Sequence, residues 1–214
     1  QDTSVFGVKE AYDDGDADFH TIVAKMADIP RSAAKTINLG LFYGMGKAKL
    51  QAELGVSKDK AEELFSIYHN RVPFVRSLTK SVSNRAQQRG QIRTLLGRLC
   101  RFHLWEPNTF GMHKALPFEQ AVQEHGPGIK RAYTYKALNK LIQGSAADMT
   151  KKSMLDLYKE GIVAHIQIHD ELDISVESKE QAKKIVEIME NAVKLEIPNK
   201  VDYESGKNWG TIND

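Results

Sequence analysis

Arg31-Ser32-Ala33-Ala34-Lys35-Thr36-Ile37-Asn38-Leu39-Gly40-Leu41-Phe42-Tyr43-Gly44 is the stretch on which the reading of this chain turns. Arg31, Lys35, Leu39 and Tyr43 recur every fourth residue. On an α-helix such a series drifts by only about 40° per step, so all four share one stripe. Pro30 sits at an expected first helical position with Asp28 near the cap, and Gly44 and Gly46 follow as stops, so a helix is predicted over residues 31–43. The stripe runs from two cations through an apolar residue to an aromatic. Two cations one turn apart can grip neighbouring phosphates, and an aromatic further along can stack on a base. The same pattern also describes an amphipathic helix whose cations snorkel into water. Gly46-Lys47 is no phosphate loop: Ala48 replaces the required Ser or Thr, and a helix, not a strand, precedes it.

Outward from that stretch the chain reads as mostly helical. Residues 1–17 form a polar opening with a turn at Asp13-Asp14-Gly15-Asp16, and residues 18–28 a short helix. Further helices are expected from about Ser57, from Pro73 to about residue 88, and over residues 129–159 with Gly161 as the stop. Residues 91–130 carry Gly97, Pro107, Gly111, Pro117, Gly126, Pro127 and Gly128, which suggests loops, one short hairpin and a short helix. Residues 162–176 alternate with period two around His169-Asp170, the pattern of a hairpin with that pair at its tip. Ser178 opens a last amphipathic helix, and a short strand is expected over residues 200–204. The fold class is α+β, mostly α-helical, with a small antiparallel sheet.

Composition sets the outer bounds. The chain has 214 residues and 41% hydrophobic residues, enough for a packed core. A lone Cys100 excludes an intrachain disulfide framework and suits a reducing compartment. No apolar run approaches a membrane span, so no membrane partner is expected. The net charge of +2 hides segregation. Asp2, Glu10, Asp13, Asp14, Asp16, Asp18 and Asp28 crowd the first thirty residues. Residues 71–105 carry Arg71, Arg76, Lys80, Arg85, Arg89, Arg93, Arg98 and Arg101 with no acid, either a polyanion surface or a solvated helix face.

At the hairpin tip, His169-Asp170-Glu171 places two adjacent carboxylates where packing makes no demand on them. Such a pair can hold Mg²⁺, which prefers oxygen ligands and keeps several waters, or it can be an acidic turn. His165 and His169 are poorly spaced for zinc on a strand, and no third His or Cys supports them.

Residues 31–44 resemble motif B of family A DNA polymerases, the DNA polymerase I family, and His169-Asp170-Glu171 after an apolar strand resembles motif C. Asp18-Phe19-His20-Thr21 is similar to the family's short phosphate-contacting motif, at a spacing from Arg31 like that of the phage branch. Asn139-Lys140-Leu141-Ile142-Gln143-Gly144-Ser145-Ala146-Ala147-Asp148 is similar to the palm helix before motif C. Thr94-Leu95-Leu96-Gly97-Arg98 and the closing Asn208-Trp209 also resemble family segments.

The resemblance implies roles residue by residue. Arg31, Lys35 and His20 would bind the incoming triphosphate, with Lys35 also a proton donor to the leaving pyrophosphate. Leu39 would pack on the sugar and Tyr43 lie near the templating base. Asp170 and Glu171 would be the catalytic, Mg²⁺-binding carboxylates. Asn139, Gln143, His169, Arg93 and Arg98 would contact primer–template DNA. Two departures stand out: Leu39 replaces the usual Phe or Tyr, and Tyr135, beside Lys136, replaces a frequent Arg.

Motif A, which carries the second metal-binding aspartate, has no match in the sequence. The resemblance therefore implies a helical fingers region with a basic loop segment over residues 1–130 and the C-terminal part of a palm over residues 131–214. Half of a two-metal Mg²⁺ site would be present. The rest would come from a polypeptide carrying motif A and a thumb, and the isolated chain would be inactive or nearly so. A missing palm strand would leave a sheet edge open to self-association. Cytoplasmic residence, in a bacterium or a phage-infected host, goes with this reading. The rival reading is a non-catalytic DNA-binding module that keeps the fold without the chemistry.

Overall fold

The computed structural model describes residues 29–71, 73–109 and 111–212 together with His20, Thr21 and Ala24. The expected turn at residues 13–16 lies outside the described residues, and of the expected helix over 18–28 only His20, Thr21 and Ala24 are described, all helical. These residues fall into two compact units, divided between Leu141 and Ile142.

The first unit opens with α1 (Arg31–Phe42), α2 (Lys47–Leu54), α3 (Lys58–Arg71) and α4 (Pro73–Arg89). Pro30 is the N-cap of α1, one place before the position expected from the sequence, and Tyr43 is its C-cap. Gly44 then turns the chain with a φ of 86°, a backbone that costs a glycine nothing. Helix α2 was not expected. Its flanking glycines read as loop, and of its residues only Leu50 is buried, so it carries almost no periodic signal. Ser57 caps α3, its Oγ accepting from the Lys60 N–H at 3.2 Å. The core beneath these helices contains Ala34, Ile37, Leu41, Leu50, Leu64, Tyr68 and Val75.

Beyond α4, strands β1 (Gln91–Arg93) and β2 (Leu99–Arg101) form a hairpin with Ile92 opposite Cys100. Strand β3 (Leu104–Pro107) is the centre of a second antiparallel sheet, between β4 (Leu116–Pro117) and β5 (Ile129–Arg131), with α5 (Phe118–His125) between β4 and β5 in sequence. This corrects the expected helix over residues 129–159. Residues 129–131 are strand because they complete the ladder on β3, with Trp105 opposite Arg131. A 3₁₀ turn (Thr134–Lys136) follows, and only then α6 (Ala137–Lys159).

Arg131 ties this region together. Its Nε donates to Gln87 O at 3.2 Å and its Nη1 to Phe102 O at 2.9 Å, while its guanidinium lies 4.4 Å from the Trp105 ring centre. The end of α4, the link between β2 and β3, and β5 thus meet on one side chain. Gly90, at φ 66°, leaves the space that the guanidinium fills.

The second unit begins within α6. Thr150 and Ser153 are buried on that helix and satisfy their hydroxyls on the carbonyls of Ala146 and Met149, four residues back. Gly161, at φ 76°, ends it as expected. Strands β6 (Ile166–Ile168) and β7 (Glu171–Asp173) form the expected hairpin. Ser178 caps α7 (Lys179–Asn191) by accepting from the Gln181 N–H at 3.1 Å. Leu157, Ile162 and Ile185 make this unit's core, with Leu172, Ile174, Ile188 and Met189 packed on it.

The strand expected over residues 200–204 is absent: that segment has no ladder, and the Val201 N–H is taken by Glu190 Oε1 at 3.1 Å instead. The architecture is α+β and mostly helical, with three small antiparallel sheets among the described residues in place of one. No helix of the described residues is long and apolar enough to cross a membrane.

Candidate functional site

Helix α1 divides cleanly by azimuth. At 100° per residue, with Arg31 at zero, Ile37, Leu41 and Ala34 fall at roughly 240–300° and are buried. Arg31, Lys35, Leu39 and Tyr43 fall at roughly 0–120°. Arg31 and Lys35 are exposed, Leu39 is 45% exposed, and Tyr43 is half-buried, edge-on to Phe42 at 5.5 Å. The four residues expected to bind a nucleotide therefore form the outward stripe of a helix whose opposite face is anchored in the core.

Asn38, at roughly 340°, sits on the rim between the two faces. It is 5% exposed, and its Oδ1 accepts from the Tyr68 hydroxyl of α3 at 3.0 Å. Its Nδ2 lies 3.3 Å from Nδ1 of His20. This bond brings the fifth expected nucleotide ligand to α1. Burial pushes the Tyr68 hydroxyl well above the usual range for a phenol, so it remains a donor. Sequence reading missed Asn38 and Tyr68, because nothing in the local pattern links residues 30 apart.

The basic block does not present one face. On α4, Arg76 and Lys80 share one azimuth while Arg85 and Arg89 lie roughly 180° away. In the β1–β2 hairpin, Arg93 and Arg98 bracket the connecting loop, both exposed. Nη1 of Arg93 donates to Gly97 O at 2.9 Å, so that guanidinium also braces its own turn. Asn139 is half-buried and Gln143 exposed, one turn apart on α6. Lys136 packs its ammonium over Tyr133 and Tyr135, 5.2 and 5.5 Å from the ring centres, at the position where an arginine was expected from the resemblance.

In the second unit, a two-residue turn joins β6 to β7, with Ile168 opposite Glu171. His169 occupies it with a φ of 53°, a left-handed conformation uncommon outside glycine and asparagine. Gln167 Nε2 donates to His169 O at 2.6 Å and braces the turn. Positive φ at a non-glycine residue is a cost that surroundings must hold in place, and such residues cluster at functional sites. Asp170 and Glu171 follow at once, both exposed. Among the described residues no group of three His, Cys, Asp or Glu could enclose a metal ion. Two adjacent exposed carboxylates are hard oxygen donors with room for water, which fits a cation such as Mg²⁺ that keeps most of its hydration. His165 is engaged elsewhere, its Nε2 lying 3.1 Å from Ser175 Oγ.

Comparison with known proteins follows the same outline. Residues 7–211 match the model of DNA polymerase family A. A DNA-directed DNA polymerase of Pseudomonas phage M6 is 32% identical over 92% of this chain and 32% of its own length. The thermostable DNA polymerase I of Thermus filiformis is 32% identical over 84% of this chain and 20% of its own length. The chain thus spans a third or less of these relatives. Among solved structures, the POL domain of Pol1 from M. smegmatis, in complex with DNA primer-template and dNTP, is similar at a TM-score of 0.76 and 26% identity, covering 97% of this chain and 37% of that one. On a match that runs almost from end to end, the chain belongs to DNA polymerase family A.

Proposed function

We propose that this chain supplies the nucleotide grip, primer–template contacts and one half of the carboxylate set of a DNA-directed DNA polymerase. The observation that carries this reading is the outward stripe of α1, in a chain that matches the family over residues 7–211. Arg31, Lys35 and His20 hold the triphosphate, and Lys35 stands where it can give a proton to the departing pyrophosphate. Leu39 packs on the sugar and Tyr43 closes the base end. Arg93, Arg98, Asn139, Gln143 and His169 contact the primer–template. The arginines neutralise phosphates, and the amides donate to acceptors that every base pair offers in the minor groove. Residues 1–130 act as fingers and residues 131–214 as the C-terminal palm.

Asp170 and Glu171 hold Mg²⁺. When bound, Mg²⁺ neutralises charge on the transferred phosphate and favours ionisation of the primer's 3′ hydroxyl. A second aspartate comes from a polypeptide that carries motif A and a thumb.

Primer extension tests this. The chain alone is expected to give little or no product. With the motif A-bearing polypeptide added, Mg²⁺-dependent extension is expected, and Asp170→Ala is expected to lower it by roughly a thousandfold, the rate equivalent of several kcal/mol. Robust extension by the chain alone would overturn the need for a partner. Activity unchanged in Asp170→Ala would overturn the carboxylate assignment. DNA binding that weakens with salt, with no extension and no triphosphate binding, would leave the non-catalytic module as the reading.

A further inference from the structure

The buried series Tyr68–Asn38–His20 has a direction. The Tyr68 hydroxyl donates to Asn38 Oδ1 at 3.0 Å, which orients the amide so that its Nδ2 faces His20 Nδ1 at 3.3 Å. An amide nitrogen can only donate, so the imidazole nitrogen opposite it must accept. In a histidine the bond made by one ring nitrogen decides where the proton resides on the other.

We infer that Asn38 and Tyr68 are positioning residues that hold His20 in the Nε2–H tautomer, so that it offers an N–H donor to an anionic phosphate oxygen. The inference rests on the nucleotide-binding reading above and adds to it a specificity device outside the stripe of α1. The anchoring is firm at its far end. Tyr68 is 3% exposed within the core formed with Ile37, Leu41, Leu64 and Val75, and Asn38 is 5% exposed on a helix locked into that same core. An Nδ1–H tautomer would set two N–H groups against each other and aim a lone pair from Nε2. A lone pair repels phosphate where an N–H attracts it.

Nitrogen-15 NMR of the full chain labelled at histidine reads the tautomer directly, and titration calorimetry with dATP and Mg²⁺ reads the ligand. His20 is expected to show a pyridine-type Nδ1 and a pyrrole-type Nε2. Asn38→Leu, close in volume but without the amide, is expected to give a mixture of both tautomers. The milder Tyr68→Phe, which keeps the ring in the core, is expected to shift the same resonances in the same direction, and circular dichroism checks that both variants fold. Asn38→Leu and His20→Ala are each expected to weaken dATP binding by about tenfold, the scale of one hydrogen bond to a charged acceptor. The double variant is expected to lose no more than either single one, because both act through one contact.

A protonated Nδ1 in the wild-type chain, or an unchanged tautomer in both variants, would overturn the positioning role. Additive losses in the double variant would do the same. A flat dATP titration of the wild-type chain overturns the nucleotide reading and the ligand assigned to His20, a result separable from the tautomer spectrum.

Discussion

Leu39 is 45% exposed between Lys35 and Tyr43, a branched aliphatic side chain in the middle of a polar and aromatic stripe. In the family resemblance an aromatic residue packs against the sugar there. Leucine presents a smaller, non-planar surface with no polar atom, and a pocket lacking a polar contact discriminates weakly between sugars that differ by one hydroxyl. Leu39→Tyr is expected to raise dideoxynucleotide incorporation relative to deoxynucleotide by roughly tenfold or more, measured by primer extension with the motif A-bearing polypeptide present. An unchanged ratio would mean that position 39 does not meet the sugar. At this scale the stripe of α1 was legible because the positions involved are neighbours on one turn after another, a geometry set by the backbone alone. Asn38 was not legible. Its partners Tyr68 and His20 reach it only through packing of separate segments, and an asparagine inside a helix ordinarily reads as a solvated amide.

Helix α3 (Lys58–Arg71) carries a histidine in an aromatic setting. The His69 ring lies 4.3 Å from Phe65, one turn back, and 5.4 Å from Tyr68, with Nδ1 buried and unpaired. Desolvation, with a smaller contribution from the positive charge of Arg76, holds its pKa below the usual 6.5. The neutral form is therefore favoured in the folded state, and the unfolded chain binds the proton more readily. Stability from this site is full above pH 6.5 and falls as the pH drops toward the depressed folded value. Thermal unfolding between pH 7.5 and 5.5 is expected to show a falling Tm, and His69→Leu is expected to flatten that slope. An equal slope in the variant would assign the effect to other groups. Elements with strong punctuation were legible in advance: Ser57, Pro73, Gly90, Gly161 and Ser178 each mark an observed boundary. The misses have physical causes. Helix α2 buries one leucine and so lacks a periodic face, and β5 is a strand only because β3 offers it a ladder.

The whole molecule divides its burial between two cores. Leu50 and Leu157 are each fully enclosed, one in each unit. Leu50→Ala and Leu157→Ala are each expected to cost about 2–5 kcal/mol, the range for removing a buried leucine, measured by urea denaturation. A loss below about 0.5 kcal/mol at either position would place that side chain outside the packed core. The α+β class and the order of helices and hairpin were readable from periodicity, whereas the number of small sheets was not, because strands of two to four residues carry too few alternations to register. The Arg131 clasp adds a constraint of another kind. Gly90 needs a left-handed backbone, and a methyl group there would sit 2.7 Å from the Arg131 guanidinium carbon. Alanine fails on contact as well as conformation, and asparagine, which tolerates the backbone, still displaces the guanidinium. Position 90 therefore has almost no neutral neighbours in sequence space while Arg131 stays, and the two positions can drift only together.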